Sequence, residues 1–297
     1  MRQFSERVKK EILDLGFSTD GARLSFLSAF ARVSGAFGFS NGQKIFELKT
    51  DKDFLKSSVF FIVDSLFGNQ LNFEVLEKSI VFKAQAADEL LEKLKIFVEN
   101  SYGEMEYSLQ LADEFFCGGD IALSVLKAFF IGGGFITLAK GYHLEFAFSN
   151  GFLASDCITL LKNCDIKSKQ IARAGKEVVY IKGQEPISNF LVAVGAFNSM
   201  LNLENIAAER ESSRLINRRL NCDMANIDKT IELATKQIQK IELLKKSGKL
   251  ENLNDKLKQA AEIRLLNQEA SLDDLATILG ISKSGIRHRL QRIMDIE

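Results

Sequence analysis

The sequence has one proline, no tryptophan and only four cysteines in 297 residues. The cysteines (Cys117, Cys157, Cys164 and Cys222) form no C-x-x-C pair, and there are only two histidines. This composition argues against a zinc site and favours a reduced, cytoplasmic setting. Cys157 and Cys164 are predicted to be small core residues on a helix. Cys222 is predicted to be a buried or interface thiol, because no histidine lies near it in the sequence.

The chain also lacks net charge, with 39 basic and 39 acidic side chains. Residues 210–297 nevertheless carry 17 basic and 13 acidic side chains, which leaves 22 and 26 for residues 1–209. Attraction to phosphate is therefore expected mainly from the C-terminal part. The first residues predict a charged amphipathic helix rather than a signal peptide.

No segment is a convincing membrane span, although residues 121–139 are mostly apolar and about long enough. Lys127 interrupts this stretch, and so do the three consecutive glycines Gly132, Gly133 and Gly134. These glycines belong to neither a P-loop nor a dinucleotide-binding pattern, so they are predicted to allow close helix packing.

The front of the chain repeats itself: residues of about 22–100 recur at an offset of 99, as about 120–202. Each unit predicts helix, two strands, helix, two strands and helix. Hairpins within a unit predict antiparallel sheets with helices on one side, which is an α+β fold. The matched positions are Leu27 with Leu126, Phe30 with Phe129, Gly35 with Gly134, Asn41–Gly42 with Lys140–Gly141, and Lys78–Gln85 with Glu177–Gln184.

The pattern also predicts the elements inside each repeat. In both repeats a strand and a helix are followed by a hairpin and a final helix. Small residues in the two central helices should let them approach closely about a pseudo-twofold axis. The expected ranges are 43–50, 51–67, 71–85 and 86–98 in the first repeat, and 142–149, 150–164, 166–184 and 185–203 in the second.

Near the C-terminus, two short helical patterns meet at a break. Ser271 is predicted to cap the first helix, with Asp273 and Asp274 in its first turn. Gly280 is expected to end that helix in a left-handed conformation, and Ser282 to cap the next one. These features predict a helix-turn-helix.

The second helix has one apolar stripe, Ile286, Leu290 and Ile293, and a basic outer face. Between residues 281 and 294 there are four basic side chains and no acidic one. The helix is therefore predicted to enter a DNA major groove, with a purely structural hairpin as the alternative. The predicted DNA-binding residues are Ser282, Lys283, Ser284, Arg287, His288, Arg289, Gln291 and Arg292.

Between the repeats and this motif, residues 204–221 are charged and helix-forming, and are predicted to be a linker. The expected domains are then 1–203 and 222–297. Apolar residues at Ile227, Ile231, Ala234, Ile238 and Ile241 predict a helix that packs on the helix-turn-helix. Arg214, Arg218 and Arg219 would contact phosphate, tie the domains together, or simply be solvated.

At this point the sequence resembles a known family. The paired repeats look like degenerate copies of the LAGLIDADG homing-endonuclease core, and the whole chain resembles the WhiA family of bacterial regulators. The segments that carry this resemblance are FSERVKKEI (4–12), NRRLNCDMAN (217–226) and ISKSGIRHRLQRI (281–293). The resemblance implies a cytoplasmic, nucleoid-associated DNA-binding protein linked to sporulation, cell division and chromosome segregation.

The resemblance also bears on catalysis. A LAGLIDADG nuclease holds divalent metal with one acid at the end of each core helix, and hydrolysis needs those acids. Here Ser34 and Gly133 occupy the two acidic positions. Glu145 follows the second helix, but the repeat offset places Phe46 at its equivalent position. No cofactor, metal or nuclease activity is therefore expected.

The sequence thus predicts a non-enzymatic regulator that binds double-stranded DNA. A sequence-tolerant nucleoid-associated protein and a residual metal-dependent endonuclease are the alternatives. The sheet surface of the repeats is mixed in sign, with Lys44, Glu47 and Lys49 in one copy and His143 and Glu145 in the other. Its role stays open between a scaffold and a docking site for a regulatory protein or ligand.

Overall fold

The computed structural model describes residues 2–40, 42–68, 70–139 and 141–296. It divides into two compact units, 1–208 and 209–297. Asn41 and Lys140, one from each predicted hairpin turn, lie outside the described residues.

The first unit begins with α1 (Arg2–Asp14) and then carries two repeats. The first repeat consists of α2 (Asp20–Ser34), β1 (Gly35–Ser40), β2 (Gln43–Lys49), α3 (Asp53–Phe67), β3 (Phe73–Val75), β4 (Ser79–Lys83) and α4 (Gln85–Lys93). A small hairpin follows, β5 (Phe97–Glu99) with β6 (Met105–Tyr107). The second repeat consists of α5 (Gly119–Gly133), β7 (Gly134–Thr137), β8 (His143–Phe148), α6 (Gly151–Asn163), β9 (Lys169–Arg173), β10 (Lys176–Lys182) and α7 (Gln184–Ala193).

The long helix α8 (Phe197–Lys246) contains the boundary between the units. The second unit continues with α9 (Asp255–Leu266), α10 (Leu272–Leu279) and α11 (Lys283–Met294). Residues 204–221, expected to be a linker, lie inside α8. Among the described residues, no helix has the length and apolar character needed to cross a membrane. The apolar stretch 121–139 is divided between α5 and β7.

The two repeats form sheets of the same topology. One sheet has the strand order β1-β2-β4-β3 and the other β7-β8-β10-β9, and their paired strands are antiparallel. The duplicated helix-strand-strand-helix-strand-strand-helix pattern predicted from the sequence is therefore confirmed.

The central helices α2 and α5 pack tightly against each other, as their small residues predict. A Cβ atom added to Gly132 would lie 2.8 Å from Val33 Cγ1 and 2.9 Å from Ser34 Oγ. Near the other end of the pair, Ser25 Oγ on α2 donates to the Ile121 carbonyl of α5 at 3.0 Å. Gly132 is thus needed for close packing.

One predicted helix of the first repeat is shorter than expected. Residues 86–98 were expected to be helical, but α4 ends at Lys93 and Phe97 already belongs to β5. Lys95 adopts a left-handed conformation (φ 54°), and the Ile96 N–H donates to the Leu91 carbonyl at 2.9 Å. This is a Schellman-type ending with lysine in place of the usual glycine. Because no glycine marks the position, the sequence did not predict that the helix ends here.

The final helix of the second repeat also differs, because residues 185–203 form two helices rather than one. Gly195 (φ 83°) ends α7, and the Ala196 N–H donates to the Leu191 carbonyl at 2.8 Å. The new helix α8 begins against the Glu11 carboxylate, which accepts from the backbone N–H groups of Asn198 and Ser199 at 2.7 and 3.0 Å. A carboxylate at the start of a helix accepts from N–H groups that have no partner within the helix. Its negative charge also interacts favourably with the positive end of the helix dipole.

The strand pairing corrects one repeat equivalence. Gly35 pairs with Leu48, whereas its counterpart Gly134 pairs with Phe146, so the second hairpin is one residue shorter. The offset therefore falls to 98 along β2 and β8. Glu145 is equivalent to Glu47, not to Phe46, which is buried in the core.

The second unit has its own core, formed by the end of α8 together with α9, α10 and α11. Ile241 and Leu244 are the α8 residues in this core. The predicted apolar seam is only partly confirmed, because Ile227 and Ile231 are 53% and 55% exposed.

The cysteines divide into two groups. Cys157 is fully buried and Cys164 is partly buried against the core, as predicted. Burial raises the pKa of both thiols. Cys117 and Cys222 are exposed, so the expected burial of Cys222 is wrong, while the alternative of an interface thiol stays a prediction. The reason is that α8 presents Cys222 to solvent.

Candidate nucleic-acid interface

The helix-turn-helix is built by local caps that the sequence predicts correctly. Ser271 accepts from the Asp274 N–H, and the Asp274 carboxylate accepts from the Ser271 N–H, which forms a capping box. Gly280 ends α10 in the left-handed conformation (φ 62°). Ser282 then caps α11 by accepting from the Gly285 N–H at 3.1 Å. These caps fix where each helix begins and ends.

Packing fixes the rotation of α11 about its axis. Ile286, Leu290 and Ile293 are buried against the core of the second unit, as their spacing predicts. Arg264 on α9 is also buried, and it donates to the Ala270 carbonyl at 2.6 Å. That bond holds the segment just before the Ser271 cap, and it was not predicted from the sequence.

With this stripe buried, the predicted DNA-binding side chains lie on the outer face and flanks. Arg289 is half-buried, while the others are exposed. Several already have partners: Lys283 forms an ion pair with Asp273, Gln291 donates to Asp295 at 2.8 Å, and the hydroxyls of Ser282 and Ser284 lie 3.0 Å apart. Lys283 is therefore not a free cation in this structure.

Three arginines of α11 differ from Lys283 in this respect. Arg287, Arg289 and Arg292 form no ion pair with any acidic side chain of the described residues. Guanidinium groups without an acidic partner are available for phosphate or base edges, and Arg287 and Arg292 are the more exposed of the three.

A groove of about 530 Å³ lies between α11 and the start of α9. Its α11 side contains Ser284, His288, Arg289 and Arg292. Its α9 side contributes Lys256 and Asn254, which caps α9 by accepting from the Leu257 N–H at 3.0 Å. Sequence reasoning missed Asn254 and Lys256. An asparagine at this position could have predicted where α9 begins. It could not have predicted that the start of α9 lies beside α11.

Two arginines of α8 lie near a single acidic side chain. Arg214 and Arg218 each lie 3.6 Å from a carboxylate oxygen of Glu211. All three groups are well exposed, so these pairs contribute little to stability. Their predicted roles in phosphate contact or domain attachment stay predictions.

The positions that would carry nuclease acids hold other residues. Ser34 ends α2 and Gly133 ends α5, as the resemblance places them. The corrected register does give a symmetric pair of acids, Glu47 and Glu145, on equivalent strands. Glu145 accepts from Arg173 at 2.8 Å. Among the described residues, no group of three or more His, Cys, Asp or Glu side chains is placed to hold a metal ion.

Comparison with known proteins accounts for both units. Residues 216–297 match the WhiA C-terminal HTH domain, and residues 122–213 match the WhiA LAGLIDADG-like domain. The chain belongs to the WhiA family. Similar relatives include the probable cell division proteins WhiA of Staphylococcus aureus strains JH9 and NCTC 8325. Each is 29% identical, with 99% of this chain and 96% of the relative covered.

A solved WhiA structure has the same fold. The full-length WhiA from Thermatoga maritima is 24% identical and gives a TM-score of 0.56, with 97% of this chain and 95% of the other covered. The predicted α+β fold, a degenerate LAGLIDADG-like domain followed by a helical HTH region, is therefore confirmed.

Proposed function

We propose that this WhiA-family protein is a non-enzymatic regulator that binds double-stranded DNA through α11. The observation that carries the proposal is the exposed face of α11, whose three arginines have no acidic partner among the described residues. The caps of Ser271, Gly280 and Ser282 present this face as the second helix of a helix-turn-helix. Such a helix fits a major groove.

Different side chains would take different roles on DNA. Ser284, His288 and Gln291 follow each other at helical spacing on the outer face, where base edges would lie. Arg287 on one flank is our choice for a guanine edge. Arg289, Arg292 and Lys256, which line the groove, would contact phosphate.

Two intramolecular contacts would be exchanged on binding. Lys283 would leave Asp273 for a phosphate, and Gln291 would leave Asp295 for a base. Both existing contacts are exposed and therefore weak, so the exchange costs little.

The experiment is a titration of duplex DNA by fluorescence anisotropy at several salt concentrations. A genome-wide map of bound DNA would supply the specific sequence. A variant with Arg287, Arg289 and Arg292 replaced by glutamine should lose specific binding. A control with Lys162, Lys167 and Lys176 replaced by glutamine removes the same charge from the first unit. Equal losses in the two variants would reject α11 as the reading element.

The same titration separates a regulator from a sequence-tolerant nucleoid protein. A regulator should bind its site about 10³-fold or more tightly than bulk DNA at physiological salt. A ratio near one at every salt concentration would favour the nucleoid-associated alternative.

The residual nuclease has one observation in its favour, the symmetric pair Glu47 and Glu145. Because Ser34 and Gly133 replace the helix-end acids, we expect no nicking of plasmid DNA in Mg²⁺ or Mn²⁺. Cleavage that disappears in the double variant Glu47→Gln and Glu145→Gln would reverse this conclusion.

The names of the relatives support a proposal for the cellular role. The Staphylococcus aureus relatives are named probable cell division proteins. We propose a role in cell division for this protein as well, with chromosome segregation and sporulation as the finer alternatives. Bound sites clustered at genes of one of these processes would choose among them. A regulatory protein docking on the first unit stays a prediction.

A further inference from the structure

A cavity of about 330 Å³ opens in the first unit beside the ends of the two central helices. Its lining comes from α1, α2, α5, the end of β2 with the residues that follow it, the start of α3, and β7. Ser34, at the end of α2, and Gly132, near the end of α5, both face it. The cavity therefore lies where α2 and α5 end.

The Lys9 amino group is a partly buried cation of this cavity, and it has no acidic partner in the described part of the chain. It donates to the Ile131 carbonyl at 2.9 Å and lies 5.5 Å from the centre of the Phe130 ring. Among the described residues, no carboxylate oxygen lies within ion-pair distance of it. Burial lowers the pKa of Lys9 to about 8, while Glu6 raises it and Lys52 lowers it further. A partly buried ammonium with one acceptor has hydrogens left to donate.

The hydroxyl groups of the cavity can also act as donors. Ser5 Oγ accepts from the Ile136 N–H at 3.2 Å, and Thr50 Oγ1 accepts from the Lys52 N–H at 3.2 Å. Each hydroxyl also carries one proton that it can donate and a second lone pair that can accept. The Ser34 hydroxyl forms no hydrogen bond with the described residues. The cavity thus combines the Lys9 ammonium with three hydroxyl groups, and the carboxylates of Glu6 and Asp51 also line it.

The charges that face the cavity sum to a positive value. Lys52 forms an ion pair with Glu6 at 2.7 Å, so these two charges compensate each other. Lys49 and Asp51 are both exposed at the cavity and opposite in sign. Lys9 remains as the charge without an acidic partner among the described residues, and the negative end of the α5 dipole offsets part of it through the Ile131 carbonyl. An anion would stabilise this arrangement, and a metal cation would destabilise it.

We propose that this cavity, the Lys9 pocket, binds the phosphate group of a small phosphorylated molecule. A phosphate offers three acceptor oxygens and up to two negative charges, which suits an ammonium and several hydroxyl donors better than a carboxylate would. Phe54 and Phe135 provide apolar walls for the rest of the molecule. The pocket lies in the first unit, so this proposal does not depend on DNA binding by α11.

The first experiment measures protection of Lys9 in the full chain. Its amine is labelled with an acetylating reagent at pH 8, and the rate is read at each lysine by mass spectrometry. Inorganic phosphate and pyrophosphate should slow acetylation of Lys9 several-fold compared with sodium chloride of equal ionic strength. Lys127 is the internal reference, because it is half-buried, lies 5.7 Å from the centre of the Phe17 ring and is outside the pocket.

The second experiment compares variants. Pyrophosphate should raise the Tm of the natural protein, and Lys9→Met should weaken its binding by about tenfold or more, because a charge-assisted contact is lost. Ser34→Ala should weaken it by about two- to tenfold. Lys127→Met should leave it unchanged. The Tm of each variant without added anion checks that it still folds.

A third arm uses a short DNA duplex, because a backbone phosphate has the same chemistry. Protection of Lys9 by the free phosphates supports a small-molecule ligand. Protection by the duplex alone supports the phosphate site but assigns it to DNA. Unchanged acetylation of Lys9 with all three probes, or an undiminished Tm shift in Lys9→Met, would overturn the proposal.

Discussion

The sheets of the first unit and the outer face of α11 both carry basic side chains, but they use them differently. On the sheets, Lys83 pairs with Glu74 at 2.6 Å and Arg173 pairs with Glu145 at 2.8 Å. On α11, Arg287, Arg289 and Arg292 have no such partner in the described part of the chain. A paired cation must exchange one anion for another on binding DNA, whereas an unpaired one gains a partner. Lys49, Lys169, Lys176 and Lys182 on the same strands also form no ion pair among the described residues, so pairing alone does not separate the two regions. What distinguishes α11 is that its three unpaired guanidinium groups share one helix, beside exposed polar side chains that suit base edges.

The strongest way to break this comparison is to remove the support of the α11 face. Leu290→Ala leaves a cavity in the core of the second unit and should destabilise that unit by about 2–5 kcal/mol. DNA binding should then be lost, and hydrogen exchange by mass spectrometry should rise in residues 255–296. Leu126→Ala, at an equally buried position of α5, is the matched control. If this control abolished DNA binding as completely, the separation of roles between the units would be wrong.

A sharper and smaller change is Arg287→Ala, which removes one side chain without disturbing the core. It should cost about 1–3 kcal/mol on the specific sequence and relax the preference for one base pair. A gel-shift titration on the specific duplex and on single-base variants measures both effects. Unchanged affinity would reject Arg287 as a base-reading residue.

The groove residues should behave differently from Arg287. Arg292→Ala or Lys256→Ala should weaken specific and bulk DNA binding by a similar factor, because phosphate contacts carry no sequence information. Each should reduce the slope of log affinity against log salt by about 1. Lys176→Ala in the first unit should leave that slope unchanged. A loss confined to the specific sequence would show that these side chains read bases instead.

Features that depend on neighbouring residues could be predicted well from the sequence. Ser271, Gly280 and Ser282 act through backbone groups only a few positions away, and the stripe of Ile286, Leu290 and Ile293 follows from helix spacing. The repeat was visible because the two copies share apolar and glycine positions. Local chemistry was therefore sufficient for the secondary structure that presents α11.

Features that depend on packing or on one unusual residue could not be predicted in the same way. The early end of α4 depends on Lys95 in a left-handed conformation, which is unfavourable for a residue that has a Cβ atom. The equivalence of Glu145 with Glu47 rests on a hairpin shorter by one residue, which an ungapped offset hides. The approach of Lys256 to α11 depends on how α9 packs.

The smallest predicted effect concerns the cap of α10, and it depends on pH. Hydrogen bonds from the side chain and backbone of Ser271 lower the pKa of Asp274 below its usual value. The folded protein therefore favours the charged carboxylate, so its stabilising contribution is present above the unfolded-state pKa and is lost as the pH falls through the folded-state pKa. Asp274→Ala should lower the Tm at pH 7, and this deficit should shrink as the pH falls from about 5 to about 3. Asp273→Ala, which keeps the capping box, should cause a smaller loss at pH 7. A deficit for Asp274→Ala that stayed constant across this pH range would mean that the charge of Asp274 does not stabilise the helix that positions α11.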